Sequence, residues 1–280
     1  MAWRARPVPP PTVPADTVPA DTGPGGGRSR TVFRAARART PARELAALTP
    51  RQQLTAGRTG RRLVQLFAGL TLYGWSMAMM VRSELGLDPW DVFHDGVSRW
   101  MGLSFGTVVI VVGLFVLALW IPLRQWPGLG TVANAIVIGL VTDLGLALLS
   151  TPESLPARIG LLTGGIVLNG LAGGMYIGSQ FGAGPRDGLM TGLVRRTGRS
   201  IRLVRTSLEL TVLALGWLLG GVVGVGTVLY ALMIGPLVQV FLPRLTVELP
   251  ADWVQPSAAA AGSGAGSAGG DTTEAGTSRE

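Results

Sequence analysis

Asp143 stands deep in an otherwise apolar run over 129–149, and a carboxylate in such a run is costly unless it is paired, protonated or facing water. Glu209 raises the same question in the run over 203–221, four residues after Arg205, a spacing at which the two side chains can pair. Either acid serves an ion or proton path through a helix bundle, or it does quieter work: Asp143 hydrogen-bonding one helix to another, Glu209 neutralising Arg205. Arg186 and Asp187 are adjacent, so they form either a gating ion pair or a basic residue beside an acid in the first turn of a helix. Asp91, His94 and Asp95 bring the single histidine next to acids. Such a histidine titrates near neutral pH, although a solvated loop histidine is the more ordinary reading. Asp91 and Asp187 have an ordinary reading too, as acids that complement the positive end of a helix. Asn134 and Asn169, also within apolar runs, read as hydrogen-bonding glue between helices.

Much chemistry is excluded. With no Cys and one His, thiolate metal sites, disulfides and multi-histidine cages are impossible, and no cofactor or metal is expected. All 24 basic residues are Arg, so the lysine of a phosphate-binding loop is missing and the chain is not expected to be an ATPase. The nucleophile elbow of the hydrolases is absent as well, which makes an enzyme a distant expectation.

The elements that must position these residues lie in a membrane. Only 14% of residues are charged, against about 25% in ordinary soluble domains, and mean hydropathy is +0.41. Apolar runs near the length that crosses a hydrocarbon core occur at 63–81, 105–122, 129–149, 158–179, 203–221 and 225–242. Trp120, Trp126 and Trp217 fall near predicted ends, where interfacial anchors sit.

The runs are related to one another. A shift of 96 places Gly86, Pro89, Asp91, Gly96, Arg99, Gly128, Gly130 and Thr131 on Gly182, Pro185, Asp187, Gly192, Arg195, Gly224, Gly226 and Thr227, without a gap. Matches at Pro, Asp, Arg and Thr in one register indicate a fused duplication. Three spans in each half make the second half inverted relative to the first. The expected fold is therefore all-α, with about six membrane helices in two inverted three-span repeats, 62–149 and 157–245, each with a short amphipathic or re-entrant helix after Pro89 or Pro185. Gly170, Gly174, Gly178 and Gly182 recur every fourth residue, the spacing that lets helix backbones approach closely.

Charge sets the orientation. The loop 180–202 holds Arg186, Arg195, Arg196, Arg199 and Arg202, whereas its equivalent at 82–104 holds Arg82 and Arg99 against four acids. Residues 1–62 add twelve Arg against three acids, so both termini are expected to be cytoplasmic. The Pro- and Arg-rich stretch 1–61 and the Ala/Gly/Ser stretch 250–280 are expected to be disordered, with a short capped helix over 40–48. The high net charge, +8, follows from this asymmetry rather than from a nucleic-acid partner. Arg61-Arg62 before an apolar run resembles an export signal, but an equivalent run 96 residues later favours a retained span.

Leu85 to Gly96, Pro127-Gly128-Leu129-Gly130-Thr131, Gly184-Pro185-Arg186-Asp187-Gly188-Leu189-Met190, Arg196-Thr197-Gly198 and Gly224-Val225-Gly226-Thr227 together resemble the bacterial YczE/YyaS/YitT-like integral membrane family. The resemblance spans about 62–245 and implies a multi-pass plasma-membrane protein, with no established catalytic residues to carry over. The expected partners are the lipid bilayer, an unknown small solute or ion, and a second copy if the Gly-rich faces are not satisfied internally. The expected function is that of a small-solute or ion-coupled permease, with a membrane accessory protein that regulates a partner complex as the alternative.

Overall fold

A computed structural model describes residues 48–250 and contains nine helices among them: α1 (Pro50–Thr55), α2 (Thr59–Ser83), α3 (Pro89–Met101), α4 (Phe105–Ala118), α5 (Leu129–Leu148), α6 (Leu155–Gly178), α7 (Pro185–Thr197), α8 (Ile201–Leu218) and α9 (Val225–Leu245). The helix expected over 40–48 and most of the two expected disordered stretches lie outside the described residues. Residues 48–61 do not fit the expected tail. Thr49 caps α1 reciprocally with Gln52, a pairing that stabilises a helix start, and α2 has already begun at Thr59.

Four helices, α2, α5, α6 and α9, are long and apolar enough to cross a membrane. The apolar run expected over 105–122 is shorter as a helix, because Pro122 cannot continue it and disfavours helical backbone just before itself, leaving turns after Ala118. Together α3 and α4 qualify as one span, but they are bent by 113° at their junction. By length and composition α8 does not qualify, since it carries Arg202, Arg205 and Glu209.

The centre is a crossing of α2 and α6, both of which also receive a second helix. Small residues make each contact close. A Cβ on Gly69 would lie 2.8 Å from the Tyr176 nitrogen, and one on Gly165 would lie 2.8 Å from Met80 Cγ. Gly74 receives α5 at the Ile138 carbonyl, 2.7 Å from its would-be Cβ, and Gly170 receives α9 at Leu237, also 2.7 Å. Gly174 and Gly178 continue the α9 contact at Phe241 and Leu245. Gly182 does not extend this stripe. It lies past the end of α6 with φ +113°, a left-handed backbone that glycine adopts without strain, as does Gly86 at φ +117°.

The two Gly-x-Gly-Thr segments acquire a structural meaning here. The Gly130 N–H donates to the Phe181 carbonyl at 2.9 Å and the Gly226 N–H donates to the Leu85 carbonyl at 2.7 Å. Each segment thus holds the loop that enters the short helix of the other half. A side chain at Gly226 would strike the Gly86 carbonyl, 2.6 Å from its Cβ, so the absence of one permits the contact. Helix starts keep one register throughout: Pro89 and Pro185, Phe105 and Ile201, Leu129 and Val225 are each 96 residues apart.

The N-terminal end is tied down by Arg62, which is 0% exposed rather than part of a solvated basic tail. Its guanidinium donates to the carbonyls of Ser179 (2.9 Å), Gln53 (2.8 Å) and Gln180 (2.8 Å) and lies 4.3 Å from the centre of the Phe181 ring. One side chain therefore joins α1, α2 and the loop before α7. Trp120 is also internal, at 4% exposed. Its indole N–H donates to the Pro185 carbonyl at 3.1 Å and its ring occupies the space left by Gly188, so it anchors α7 rather than an interface. Trp126 and Trp217 remain exposed.

Candidate functional site

The short helices α3 and α7 are built alike at their starts. Each has Pro in its first turn, and each is preceded by a residue in nearly identical extended backbone: Asp88 at φ −65°, ψ 160° and Gly184 at φ −62°, ψ 161°. Asp88 caps α3, its Oδ1 accepting the N–H groups of Trp90 and Asp91 at 2.8 and 3.0 Å. Gly184 has no side chain, and α7 has no side-chain cap. The two first turns meet: Arg186 Nη1 of α7 lies 3.7 Å from Asp88 Oδ1, and the guanidinium sits 5.7 Å from the Trp90 ring centre.

A cavity of about 400 Å³ adjoins this meeting point, with walls from α2, α3, α5, α6, α7, α8 and α9. Its polar lining is organised by hydrogen bonds. Arg186 Nη2 donates to the Tyr73 hydroxyl (2.9 Å), the Tyr176 hydroxyl donates to Asp187 Oδ2 (3.2 Å), and the Tyr230 hydroxyl donates to Asn169 Oδ1 (3.0 Å). Asn169 Nδ2 in turn donates to Ser76 (2.9 Å). Asn169 is thus both the expected glue and a lining residue, and Asn134 joins it in the wall. In the 96-residue register Tyr73 corresponds to Asn169 and Asn134 to Tyr230, so each half supplies one phenol and one carboxamide at exchanged positions.

Of the sequence-selected residues, Arg186, Asp187, Arg205 and Glu209 line this cavity. Arg205 and Glu209 pair at 2.9 Å on the more exposed side of α8. Asp91 and His94 lie behind the lining, joined at 3.1 Å. His94 is not a solvated loop residue: it is 5% exposed, inside α3 and edge-on to Phe105, because α3 is packed between α4 and α8. Asp95 bonds elsewhere, accepting from Arg99 and from the Val222 N–H, both at 3.0 Å. Asp143 does not line the cavity and holds α4 to α5, accepting from the Ser104 hydroxyl at 2.6 Å and the Gly106 N–H at 2.7 Å. Sequence reasoning passed over Asp88 and the three tyrosines. The recoverable signal was Asp88 itself, which immediately precedes Pro89 as a helix cap should.

Apolar helices of membrane-crossing length around a polar centre define a multi-helical membrane protein. The chain belongs to the Family of unknown function (DUF6198), whose pattern matches residues 60–243. An uncharacterised protein of Haemophilus influenzae is 42% identical over 187 residues, 67% of this chain and 85% of that relative. The uncharacterised membrane protein YczE of Bacillus subtilis is 33% identical over 180 residues, 64% of this chain and 84% of the relative. The uncharacterised protein YyaS of the same organism is 27% identical over 179 residues, 62% and 89% respectively. These bear out the resemblance to YczE and YyaS. No solved structure matches the chain.

Proposed function

We propose that this protein is a small-solute transporter of the bacterial plasma membrane, built from two inverted three-span repeats with both termini cytoplasmic. In this reading α2, α4 and α5 are the spans of one repeat, α6, α8 and α9 those of the other, and α3 and α7 are half-helices whose first turns meet near the middle of the bilayer. Substrate sites of inverted-repeat transporters lie at such a meeting of repeats. The shared register of helix starts and the opposite charge of the equivalent loops both support the arrangement. An ion gradient is the energy source that suits a chain without a nucleotide-binding loop.

The observation that carries transport is an asymmetry between equivalent parts. In one half, α4 packs on α5, with a Cβ on Gly139 coming within 2.5 Å of the Gly106 carbonyl and Asp143 closing the end of the contact. In the other half α8 does not pack on α9 in this way: among the described residues nothing lies within 4 Å of a Cβ on Gly235, the equivalent of Gly139, and Gln239, the equivalent of Asp143, is exposed. The cavity lies between these separated helices. Two like halves, one closed and one open, are the two ends of an alternating-access cycle. The exchange is not exact, because Arg202 stands where α4 has Gly106.

Asn134 borders both the open cavity and a small cavity against α4, which makes it the position to probe. The chain has no Cys, so Asn134→Cys gives a single thiol. A transporter exposes that thiol to an impermeant reagent from each face of sealed membrane vesicles in turn. Labelling from one face only, in folded protein, would favour the static accessory protein instead.

A further inference from the structure

We infer that the cavity binds a small zwitterion, a solute carrying a carboxylate and an ammonium a few bonds apart, as an α-amino acid does. The inference rests on the transport reading above for its location and deepens it by naming the substrate class.

The carboxylate seat is drawn by the protein itself. At α3 the seat before the first turn holds the Asp88 carboxylate, which accepts two backbone N–H groups. At α7 the preceding backbone has the same dihedral angles, yet Gly184 supplies no carboxylate, so the N–H groups of Arg186 and Asp187 have no side-chain cap. First-turn N–H groups at a helix start attract an anion. Around a Cβ placed on Gly184 lie the Tyr176 hydroxyl at 3.2 Å, Asp187 Oδ2 at 3.5 Å and Asn134 Nδ2 at 3.7 Å. Arg186 stands in the same wall. A guanidinium has five N–H donors, and among the described residues Arg186 spends one on a neutral phenol and keeps Asp88 at 3.7 Å, outside hydrogen-bond range. A carboxylate at the Gly184 seat would complete both.

The ammonium pole has its own evidence. Asp88 is 1% exposed and lines the cavity, and its Oδ2, like Asp91 Oδ2 behind it, receives no N–H or O–H donor from any other side chain among the described residues. A buried carboxylate oxygen is rarely left so. Asp187, whose Oδ2 receives only the Tyr176 hydroxyl among the described residues, lies within the same wall. The lining therefore offers two acids and one Arg around the seat, with the rings of Tyr73, Trp90, Tyr176 and Tyr230 beside them, faces that also favour an ammonium. An anion alone leaves the Asp88 and Asp187 carboxylates beside further negative charge, and a simple amine leaves the α7 start and Arg186 unmet. A zwitterion satisfies all four.

The decisive variant copies α3 into α7. In Gly184→Asp the new carboxylate takes the seat, caps α7 as Asp88 caps α3, and excludes the solute. The full-length protein in nanodiscs is titrated calorimetrically with the twenty protein amino acids and glycine betaine, and each solute that binds is compared with its amide and its decarboxylated amine. At least one zwitterion is expected to bind, its amide and amine at least tenfold more weakly. Gly184→Asp is expected to lose binding with a thermal midpoint equal to or above that of the parent, and Arg186→Gln to weaken binding at least tenfold. Binding of amines as tight as that of their parent zwitterions would overturn the proposal, as would no binding by any solute in the panel or undiminished binding by folded Gly184→Asp. Two-sided labelling of Asn134→Cys needs no solute, so loss of the zwitterion would leave the transport reading standing, and one-sided labelling would remove transport while leaving a binding site.

Discussion

Asp143→Ala is expected to raise the rate at which Asn134→Cys is labelled from the extracellular face by tenfold or more, with no comparable rise from the cytoplasmic face. The carboxylate accepts two short hydrogen bonds that fasten the start of α4 to α5, from the Ser104 hydroxyl and the Gly106 N–H. Hydrogen bonds to a charged group contribute about 1.5–3 kcal/mol each, and about 1.4 kcal/mol corresponds to a factor of ten in an equilibrium. In the proposed alternating-access cycle the open state gives up both bonds, so removing them from the closed state shifts the population by at least that factor. An unchanged labelling rate in folded Asp143→Ala would show that the carboxylate is structural glue and no gate. Glu209→Gln should leave extracellular labelling unaltered, its partner Arg205 lying on the already open side.

Arg62→Ala is expected to cause a large loss of stability, about 4 kcal/mol or more from three charge-assisted hydrogen bonds. The carbonyls of Gln53, Ser179 and Gln180 lose their donor together in a place where the side chain was wholly buried, and the stacking on Phe181 goes with it. Arg62→Lys should recover only part, because an ammonium on a flexible stem cannot present a planar fork to three carbonyls at once. Arg61→Ala is the contrast. Arg61 is exposed, and substitution at such a position changes stability by about 0.5 kcal/mol or less. Thermal unfolding in detergent distinguishes the cases: equal midpoints for Arg61→Ala and Arg62→Ala would mean that the fastening contributes nothing.

These two residues show where sequence is informative and where it falls short. The short helices after Pro89 and Pro185 were legible because helix starts are local: a proline, an acid two residues on and a preceding turn suffice. The common register was legible because glycine, proline and threonine at fixed spacing reflect backbone geometry that both halves need, and Gly130 and Gly226 prove to hold matching loops. Arg62 was not legible. Nothing beside it in sequence distinguishes it from Arg61, since its partners at Ser179 and Gln180 lie more than a hundred residues away. The aromatic lining was hidden differently. Tyr73 aligns with Asn169 and Asn134 with Tyr230, so a comparison of the halves by identity passes over the positions where they complement each other. Trp120 was misplaced at a membrane edge because an anchor and a buried indole look alike until the partner, here the Pro185 carbonyl, is known.

The fold gives Asp143, in an apolar run, and Asp187, beside Arg186 at a helix start, different tasks. Asp143 faces a neighbouring helix start, and its work is done within the protein. Asp187 faces a cavity and shares its wall with Arg186, Tyr176 and Asp88, so its remaining capacity is available to an occupant. Burial of charge in a membrane is costly unless it is paired or faces water, and the two residues meet that requirement in these two ways.

Inversion of the two halves is the premise on which alternating access depends, and single thiols at equivalent loop positions test it most directly. Leu103→Cys and Arg199→Cys are 96 residues apart, and both parent residues are exposed. On intact cells an impermeant thiol reagent is expected to label Leu103→Cys and to leave Arg199→Cys unlabelled until the membrane is opened. Labelling of both on intact cells, or protection of both, would place equivalent loops on one side of the membrane and contradict the inverted repeat.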